Sequence, residues 1–406
     1  MIANFVSFPW EKGNSRFLYL LDRIDYKKHE AELITTSFYH STKQKRQVKQ
    51  SNTKNLKYKI TLLDEPGYPK NVCLKRFYSH HILSKNLKKY LQNQQEKPDV
   101  IYCAVPSLDF AYEAAKYARK HKIKFIIDIQ DIWPEAFKMV FNPPLIGKLL
   151  YTPFEKKANF IYSSADEIIA VSETYAKRAL SVNKKTKKLN SVFLGTELSQ
   201  FDIFRKNSKP KNQDEIKLVY IGTLGHSYDI KSVIDALALL KNQPIKFVVM
   251  GDGPLRKEFE KHTKNKAINY KFKGKLDYEK MVGELCSCDI AINPIVQGAA
   301  GSIINKVGDY AAAGLPVVNT QECPEYRDLI KKYNAGLNCE NGNTAQLAKA
   351  IETLAKDQKL RQQLGKNNRH LAEEKFDRAK TYPEILSIIY GKVEKWSNAL
   401  KNINNS

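Results

Sequence analysis

The segment "IKLVYIGTLGHSYDI" (residues 216–230) runs from continuous apolar residues into a glycine-containing turn and then toward a helix. Such an apolar run is typical of a strand buried on both faces of a parallel sheet. Gly222 and Gly225 permit tight backbone turns, and we predict that a helix begins near Ser227. Free amides at a helix N-terminus can bind an anion, and His226 could add a hydrogen bond to it. A turn of this kind is also compatible with packing alone.

The same alternation of apolar runs and helical patterns extends in both directions from this segment. It predicts an α/β protein with two Rossmann-like, doubly wound parallel-sheet domains that face a central cleft. The further strands of the second half are predicted at residues 245–253, 268–274, 289–295, 316–320 and 335–340. Those of the first half are predicted at residues 1–8, 30–38, 99–105, 124–131, 167–172 and 191–195.

A polar stretch near residues 200–215 has no apolar period and predicts a linker. We therefore expect a first domain at residues 1–200, a linker at 201–215 and a second domain at 216–375. Residues 376–406 are predicted to form a helix that returns to the first domain, followed by a polar tail.

Composition is that of a globular protein, with 42% hydrophobic and 27% charged residues in a chain of 406. No run of about 18 apolar residues predicts a transmembrane helix, and the first residues do not resemble a secretory signal. The six cysteines are scattered without CxxC pairs, which favours a reducing cytoplasm and argues against structural zinc.

The formal net charge of +24 is unusually large, and residues 1–200 carry +15 of it. Such an excess suggests an anionic partner, namely nucleic acid, anionic lipid headgroups or a phosphate-bearing substrate. A lysine-rich genome would produce the same excess. Because no helix-turn-helix, RNP or zinc pattern is present, we expect no nucleic-acid partner.

The loops after the predicted strands hold the candidate site residues of the second half. The turn containing Gly251 and Gly253 is more often structural than catalytic. In "NKVGDYAAAGLPVVNT" (residues 305–320), Lys306 and Asp309 are three residues apart and can share one helix face. A lysine for phosphate and an acid for a ribose diol would make a nucleotide site, although an acid in a first helical turn also suits the helix dipole.

Two segments of the first half also reach the predicted cleft. Gln130, Asp131 and Glu135 cluster where a strand ends, and they either have a catalytic function or cap a helix. The first loop precedes a helix and could contact the acceptor or the phosphates of the donor. Its candidate residues are Lys12, Gly13, Asn14 and Ser15.

Seven segments, in this order and spacing, resemble glycosyltransferase family 4, whose members are retaining, metal-independent sugar transferases of the GT-B fold. They lie at residues 165–180, 191–201, 218–225, 248–260, 272–294, 305–318 and 360–376. The segment "DIQDIWPE" (residues 128–135) is similar to a branch that builds capsular, exopolysaccharide and O-antigen repeat units.

The resemblance assigns roles to residues of the donor site. Family members carry two acids eight positions apart, and the second, which holds the ribose, corresponds to Asp309. The first corresponds to Gly301, so recognition of the sugar must differ here. The family's lysine for the diphosphate corresponds to Lys306. The usual Arg and Lys of the phosphate loop are replaced by Thr223 and Tyr228.

Further positions follow from the same alignment of motifs. The loop that reads the base contains Gly274 and Lys275, and the region near the sugar contains Gly298, Gly301, Ser302 and Asn305. A histidine common near the sugar corresponds to Gln130, with Asp131 and Glu135 close by. The remaining donor-loop candidates are Thr223, Gly225, His226 and Ser227.

Together these observations predict a hexosyl- or N-acetylhexosaminyltransferase (EC 2.4.1.-) that uses a nucleotide-sugar, UDP being preferred, as co-substrate and needs no other cofactor or metal. The resemblance implies a polyprenyl-diphosphate-linked saccharide as acceptor. The basic, apolar segments at residues 71–92 and 143–157 predict peripheral contact with the anionic inner face of the cell membrane, or else simply pack on the sheet.

Two other interpretations remain open at this stage: a GT-B sugar-nucleotide epimerase, and a basic nucleic-acid- or membrane-binding protein without catalysis. The sequence does not determine the sugar, the acceptor, the linkage or the oligomeric state.

Overall fold

The computed structural model describes residues 1–11, 15–71, 73–140, 147–210, 214–299 and 301–391. The chain forms two compact units. The first comprises Met1–Val192 together with the chain from Tyr382, and the second comprises Phe193–Thr381. The predicted boundary at residue 200 lies inside the second unit, and the predicted linker begins within a helix.

The first unit contains a parallel sheet. The strands of the whole unit are β1 (Glu32–Thr36), β2 (Phe38–Tyr39), β3 (Gln44–Lys45), β4 (Lys59–Leu63), β5 (Val100–Val105), β6 (Lys124–Ile129), β7 (Glu167–Ala170) and β8 (Asn190–Ser191). Strands β5-β6-β7-β8 are paired in that order, β1 pairs with β4, and all these pairs are parallel. The short β2 and β3 pair with each other in antiparallel orientation.

Several details differ from the strands predicted for this unit, among them β3, which was not predicted, and β8, which lies at Asn190–Ser191 and not at 191–195. The strand predicted at residues 1–8 is reduced to Ile2, which forms parallel bridges to Ile34 and Cys103 and thereby joins β1 to β5. Strand β4 was not predicted, because its lysine and partly exposed residues do not form a continuous apolar run.

Helices surround this sheet, and the last helix of the described chain completes its core. They are α1 (Arg16–Leu21), α2 (Gln50–Thr53), α3 (Leu74–Gln92), α4 (Leu108–His121), α5 (Glu135–Val140), α6 (Gly147–Ser164) and α7 (Glu173–Leu180), with a 3-10 turn at Pro9–Glu11. The final helix, α16 (Arg378–Tyr390), contributes Tyr382, Ile385 and Ile388 to the same apolar core as Phe17 and Leu20.

A buried ion pair ties these elements together. The Arg16 guanidinium lies 2.9 Å from the Asp128 carboxylate, and both side chains are fully buried. Arg16 also donates to the Tyr382 hydroxyl at 3.3 Å and to the Val192 carbonyl. The second oxygen of Asp128 accepts a hydrogen bond from Tyr102 at 2.7 Å. Each charged group in this cluster therefore has a partner from a different element.

The second unit is a six-stranded parallel sheet. Its strands are β9 (Ile216–Ile221), β10 (Ile245–Met250), β11 (Tyr270–Gly274), β12 (Ile290–Asn293), β13 (Val317–Asn319) and β14 (Gly336–Asn338). Their order is β11-β10-β9-β12-β13-β14, the doubly wound order in which ligands bind where the winding reverses, between the first and fourth strands. All six strands were predicted.

Helices cover both faces of this sheet. They are α8 (Leu198–Arg205), α9 (Ile230–Leu239), α10 (Arg256–Asn265), α11 (Tyr278–Cys286), α12 (Lys306–Ala312), α13 (Pro324–Tyr333), α14 (Thr344–Lys356) and α15 (Gln358–Leu371), followed by a π-helical turn at Ala372–Phe376. Successive residues of β9 enter opposite cores: Val219 and Ile221 enter one, and Leu218 and Tyr220 enter the other. This two-sided burial explains the continuous apolar run in the sequence.

Candidate active site

Three glycine-containing loops lie side by side at the carboxyl edge of the second sheet. The loop that follows β9 hydrogen-bonds to the end of β10, with the Gly222 amide donating to the Met250 carbonyl at 2.9 Å. The loop after β10 bonds in turn to the end of β11 through the Gly251 amide and the Gly274 carbonyl, 2.8 Å apart. The three predicted loops therefore form one layer of backbone.

Gly251 and Gly253 allow this close contact between loops. A Cβ atom at Gly251 would lie 1.8 Å from the Gly222 carbonyl oxygen, and one at Gly253 would lie 2.3 Å from that of Leu224. No side chain fits at either position. The two glycines therefore allow the loop after β10 to pack directly against the backbone of the loop after β9.

The first loop offers free amides to a ligand. Within the described part of the chain, the amides of Thr223, Gly225, His226 and Ser227 have no hydrogen-bond acceptor. The side chains of Thr223, His226 and Ser227 are exposed. Successive free amides of this kind form a concave anion-binding surface.

The predicted start of the next helix near Ser227 is wrong. Helix α9 begins at Ile230, because the Asp229 carboxylate accepts the Ser232 amide at 3.1 Å and is the N-cap. The preceding Tyr228 pairs with Ile295 in an antiparallel bridge. Ser227 therefore lies in the turn and not in the first turn of the helix.

Lys306 is a buried cation without an anion. Its side chain enters between two aromatic rings, with Nζ 3.9 Å from the ring centre of Tyr220 and 3.8 Å from that of Tyr228. A Cβ atom at Gly222 would be 3.0 Å from Nζ, so the ammonium faces the first loop. No acceptor in the described residues bonds Nζ, and burial lowers the pKa of Lys306 well below its usual range.

Asp309 is held by hydroxyl groups. Its Oδ1 accepts hydrogen bonds from Tyr278 at 2.8 Å and from Thr196 at 3.1 Å. Burial raises the pKa of this carboxyl group, while the two hydroxyl donors act in the opposite direction. The partners of Asp309 differ from those of Lys306, although both side chains start from the first turn of α12.

The segment predicted to lie near the sugar is fixed by the loop after β13. The Gly298 amide donates to the exposed Glu322 carboxylate at 3.2 Å, and the Ser302 carbonyl accepts from Gln321 at 2.6 Å. Gly301 is exposed, and so is Asn305, which precedes α12. Glu322 and Gln321 were not predicted as site residues, although they follow a strand at the carboxyl edge of the sheet.

A buried row of amide side chains supports this segment. Asn293, Asn319 and Asn338 are the last residues of β12, β13 and β14. Asn293 donates to Asn319 at 2.8 Å, and Asn319 donates to Asn338 at 2.9 Å. Asn293 also donates to Gln321 at 3.1 Å, which connects the row to Ser302. An asparagine at the end of three predicted strands is the sequence feature from which this row could have been predicted.

In the first unit, the candidate residues after β6 have protein partners. Gln130 donates to Asp128 at 3.4 Å. Asp131 accepts from the Trp133 indole at 3.1 Å, and burial raises the pKa of its carboxyl group. Glu135 forms an ion pair with Arg178 at 2.5 Å, which connects α5 to α7.

The first-loop candidates Lys12, Gly13 and Asn14 lie outside the described residues. Ser15 is buried directly before α1, and its side chain makes no capping hydrogen bond.

The part of the chain that the structure describes contains neither a candidate metal cluster nor a candidate membrane span. No three His, Cys, Asp or Glu side chains there are grouped so that they could hold a metal ion. No helix there has the length and apolar character needed to cross a bilayer.

Comparison with known proteins defines the class. Residues 201–371 match the family model described as "Glycosyl transferases group 1". The fold matches that of the Anabaena protein Alr3699/HepE, solved in complex with UDP, at a TM-score of 0.67 and 15% identity over 96% of this chain and 99% of that one. WaaG, described as a glycosyltransferase of lipopolysaccharide biosynthesis, gives 0.64 at 15% identity over 96% and 100%. Residues 201–371 therefore resemble a glycosyltransferase family, and the chain has the GT-B fold of these solved structures.

Two curated relatives are named as sugar transferases. "Probable glycosyltransferase WbjE" of Pseudomonas aeruginosa is 24% identical, and the match spans 57% of this chain and only 60% of that protein. A Campylobacter jejuni enzyme is 25% identical over 87% of this chain and 89% of its own length. It is named "GalNAc-alpha-(1->4)-GalNAc-alpha-(1->3)-diNAcBac-PP-undecaprenol alpha-1,4-N-acetyl-D-galactosaminyltransferase".

Proposed function

We propose that this glycosyltransferase transfers a sugar from a UDP-sugar to a lipid-linked saccharide in bacterial surface polysaccharide synthesis. The observation that carries the proposal is the buried, unpaired ammonium of Lys306 opposite the Gly222 loop. An isolated buried cation costs several kcal/mol unless a counter-ion compensates it. A diphosphate between Lys306 and the free amides of that loop would supply the missing charge.

Asp309 would hold the ribose of the same nucleotide. Tyr278 and Thr196 both donate to Oδ1, which fixes the orientation of the carboxylate. Within the described residues no donor bonds Oδ2, so this oxygen can accept from a ribose hydroxyl. The diphosphate and the ribose would then be held by one short helix.

The chemistry follows from where charge develops. As the bond between the anomeric carbon and the donor oxygen breaks, negative charge accumulates on the leaving diphosphate. Lys306 and the loop amides are preorganised for that charge and would stabilise the transition state more than the ground state. Retention of configuration and independence of metal ions are proposed from the resemblance to glycosyltransferase family 4.

Related proteins support the two substrates. HepE has been solved with UDP and also with UDP-glucose, and the Campylobacter enzyme is named for an undecaprenol-diphosphate acceptor. Since Gly301 provides no carboxylate near the sugar, Glu322, which bonds to the Gly298 amide, is a candidate to bind sugar hydroxyls. The transferred group would be a hexose or an N-acetylhexosamine.

A membrane-facing surface would bring the lipid-linked acceptor to the first unit. The large exposed apolar side chains Leu74, Phe77 and Tyr78 of α3 and Leu149 and Leu150 of α6 define what we name the apolar surface. The Phe77 ring lies 5.6 Å from that of Phe154, which connects the two helices. Leu83 and Leu87 belong to the segment 71–92 that was predicted to contact the membrane, but both are buried in the core.

Basic side chains accompany the apolar surface, because α3 also carries Lys75, Lys85, Lys88 and Lys89. Apolar contact combined with basic residues is typical of peripheral binding to anionic bilayers. We therefore propose that the first unit lies against the inner face of the cell membrane.

Thermal unfolding with a panel of nucleotides tests the donor. We expect UDP and UDP-sugars to raise the unfolding midpoint of the wild type, GDP and GDP-mannose to have little effect, and Asp309→Ala to abolish the rise. No shift with any nucleotide would overturn the proposed function. A shift with GDP alone would overturn the choice of UDP.

Vesicle sedimentation tests the membrane contact. Wild-type protein should bind phosphatidylcholine vesicles that contain phosphatidylglycerol, and the Leu74→Ser/Leu149→Ser variant should bind much less. Leu239→Ser is the matched control, because Leu239 is an equally large, exposed side chain of the second unit. Equal binding by all three proteins would exclude the apolar surface as the membrane contact.

A further inference from the structure

The first unit contains a second group of cationic side chains, at the carboxyl edge of its sheet, that form no ion pair within the described residues; the carboxyl group that lies near Arg76 is that of Asp131, which bonds to Trp133. We name it the Arg76 cluster. Its members come from the segments that follow Ile2, β2, β4 and β6 and from the first half of α3. They are Phe5, His40, Lys43, Tyr68, Arg76, His80 and Trp133.

Arg76 is stacked among aromatic rings. Its guanidinium carbon lies 4.8 Å from the ring centre of Trp133, 5.4 Å from that of Tyr68 and 5.5 Å from that of Phe5. One nitrogen donates to the Asn71 carbonyl at 2.8 Å, while the buried Nε has no acceptor in the described residues. No carboxylate there forms an ion pair with Arg76, although Tyr68 bonds to the guanidinium and Asp131 lies close enough to interact with its charge.

His80 provides an independent sign of a missing ligand. Its side chain is only 3% exposed and stacks on Trp133 with the rings 13° from parallel. The buried Nε2 has no hydrogen-bond partner in the described residues. A buried polar atom without a partner destabilises the fold, and a ligand that bonds to it would offset that loss.

Lys43 and His40 complete the polar side of the cluster. Lys43 Nζ donates to the His40 carbonyl at 2.5 Å and lies 5.2 Å from the ring centre of Tyr68. The His40 ring nitrogen Nδ1 is 2.6 Å from the Tyr68 hydroxyl. Burial, with the nearby Lys43 and Arg76, lowers the pKa of His40 to about 4. At neutral pH the cluster therefore has the charges of Arg76 and Lys43 and neutral imidazoles.

The cluster is continuous with the apolar surface. Phe137 packs on Trp133 with ring centres 4.6 Å apart and on Phe77 with ring centres 5.7 Å apart. Phe77 belongs to the apolar surface and directly follows Arg76 in α3. A row of aromatic rings thus leads from the cationic group to exposed apolar side chains.

We propose that the Arg76 cluster binds the diphosphate group of a prenyl diphosphate whose hydrocarbon chain lies along the apolar surface. Two cations match a dianionic head, Arg76 can form paired hydrogen bonds to phosphate oxygens, and the His80 nitrogen supplies a further polar contact. This inference rests on the proposed lipid-linked acceptor, and it identifies where in the first unit that acceptor is recognised.

Farnesyl diphosphate is a suitable probe, because it has the diphosphate and a short prenyl chain and can be titrated against Trp133 fluorescence. We expect Arg76→Gln to weaken its binding about tenfold or more, as for the loss of a charged hydrogen-bond donor. Lys120→Gln, which removes the same charge from an exposed position of α4, should change binding less than about twofold. His80→Gln is the second variant, and unfolding midpoints confirm that each variant is folded.

Four outcomes would overturn the proposal. Equal losses for Arg76→Gln and Lys120→Gln would show general attraction between charges. Equal affinity for farnesol would show an apolar site, and equal affinity for inorganic pyrophosphate would assign the cluster to a free anion. Competition by UDP, together with loss in Lys306→Met, would place the probe in the donor site. UDP binding is measured in a separate experiment. A negative result with farnesyl diphosphate therefore leaves the assignment of the donor site intact, and a negative result with UDP leaves the assignment of the Arg76 cluster intact.

Discussion

Arg16 of the first unit and Lys306 of the second are two buried cationic residues in opposite electrostatic surroundings. Burial alone would lower the pKa of Arg16 in the first unit, but Asp128, Tyr382 and Tyr102 raise it above the ordinary value. Lys306 in the second unit contacts two tyrosine rings and forms no ion pair within the described residues, and burial lowers its pKa. The comparison teaches that a charge neutralised by the protein stabilises the fold, whereas a buried charge left unpaired marks the place of a ligand.

The largest expected effect is on the paired cation. Arg16→Met should lower the free energy of unfolding by about 3–5 kcal/mol, because it leaves Asp128 buried without a counter-charge. The measurement is denaturant unfolding of the purified protein. Arg16→Met/Asp128→Leu should recover most of the loss, since an apolar pair of similar volume avoids the buried charge. A loss below about 1 kcal/mol for the single variant would mean that this pair does not stabilise the unit.

The unpaired cation should behave in the opposite way. Lys306→Met should leave the stability of the free protein unchanged or raise it, because the substitution removes a desolvated charge. Affinity for UDP should fall about 10- to 100-fold, the effect of losing a charged hydrogen bond of about 1.5–3 kcal/mol. Unfolding and calorimetric titration check the two parts. If stability fell as in Arg16→Met while UDP affinity persisted, the contrast between the two cations would be lost.

The contrast between Arg16 and Lys306 also predicts that the stability of the protein and its affinity for UDP depend on pH. Because the pKa of Lys306 in the folded protein lies below the ordinary 10.5, the unfolded chain binds this proton more tightly. The stability of the wild type relative to Lys306→Met should therefore rise as the pH increases from the folded pKa toward 10.5.

Binding of UDP restores the charged form, so affinity should fall by up to about tenfold per pH unit in the same window. Calorimetry in buffers of different ionisation enthalpy should detect proton uptake by the wild type that Lys306→Met lacks. Equal uptake by both proteins would assign it to another group.

The smallest expected effect concerns Asp309. Tyr278→Phe removes one of its two hydroxyl donors and should lower UDP affinity only about two- to fivefold, because the bond lost is not made to the nucleotide and Thr196 still donates to the same carboxylate oxygen. Thr196→Val is the matched variant at the other donor and should give a similar loss. Tighter binding by either variant would show that these hydroxyl groups compete with the nucleotide for the carboxylate.

More of the second unit than of the first could be predicted from the sequence. Strands buried on both faces are apolar throughout, so all six strands of the second sheet could be recognised. Strand β4 escaped because it is partly exposed, and residues 1–8 were overestimated because an apolar segment can pack without pairing. The start of α9 is set by the N-cap Asp229. The local sequence pattern did not show whether Asp229 or Ser227 precedes the helix.

The site was predictable where a motif is contiguous. Lys306 and Asp309 lie in one short segment, and their roles remain predictions that the geometry favours. The tyrosine rings around Lys306 were not foreseen, since they belong to β9 and the loop after it, far from α12 in the sequence. The same is true of the Arg76 cluster, whose members come from five separate segments. Proximity of this kind is set by the sheet order and is not visible in local sequence.

The return of α16 to the first unit affects the timing of folding during synthesis. Tyr382, Ile385 and Ile388 fill the first core, and the Tyr382 hydroxyl contacts Arg16, yet about 190 residues of the second unit are translated before them. At about 5–20 residues per second, the first unit waits some 10–40 seconds for its last helix. During that interval the second unit, which is one continuous segment, is the first that can complete its core on the ribosome.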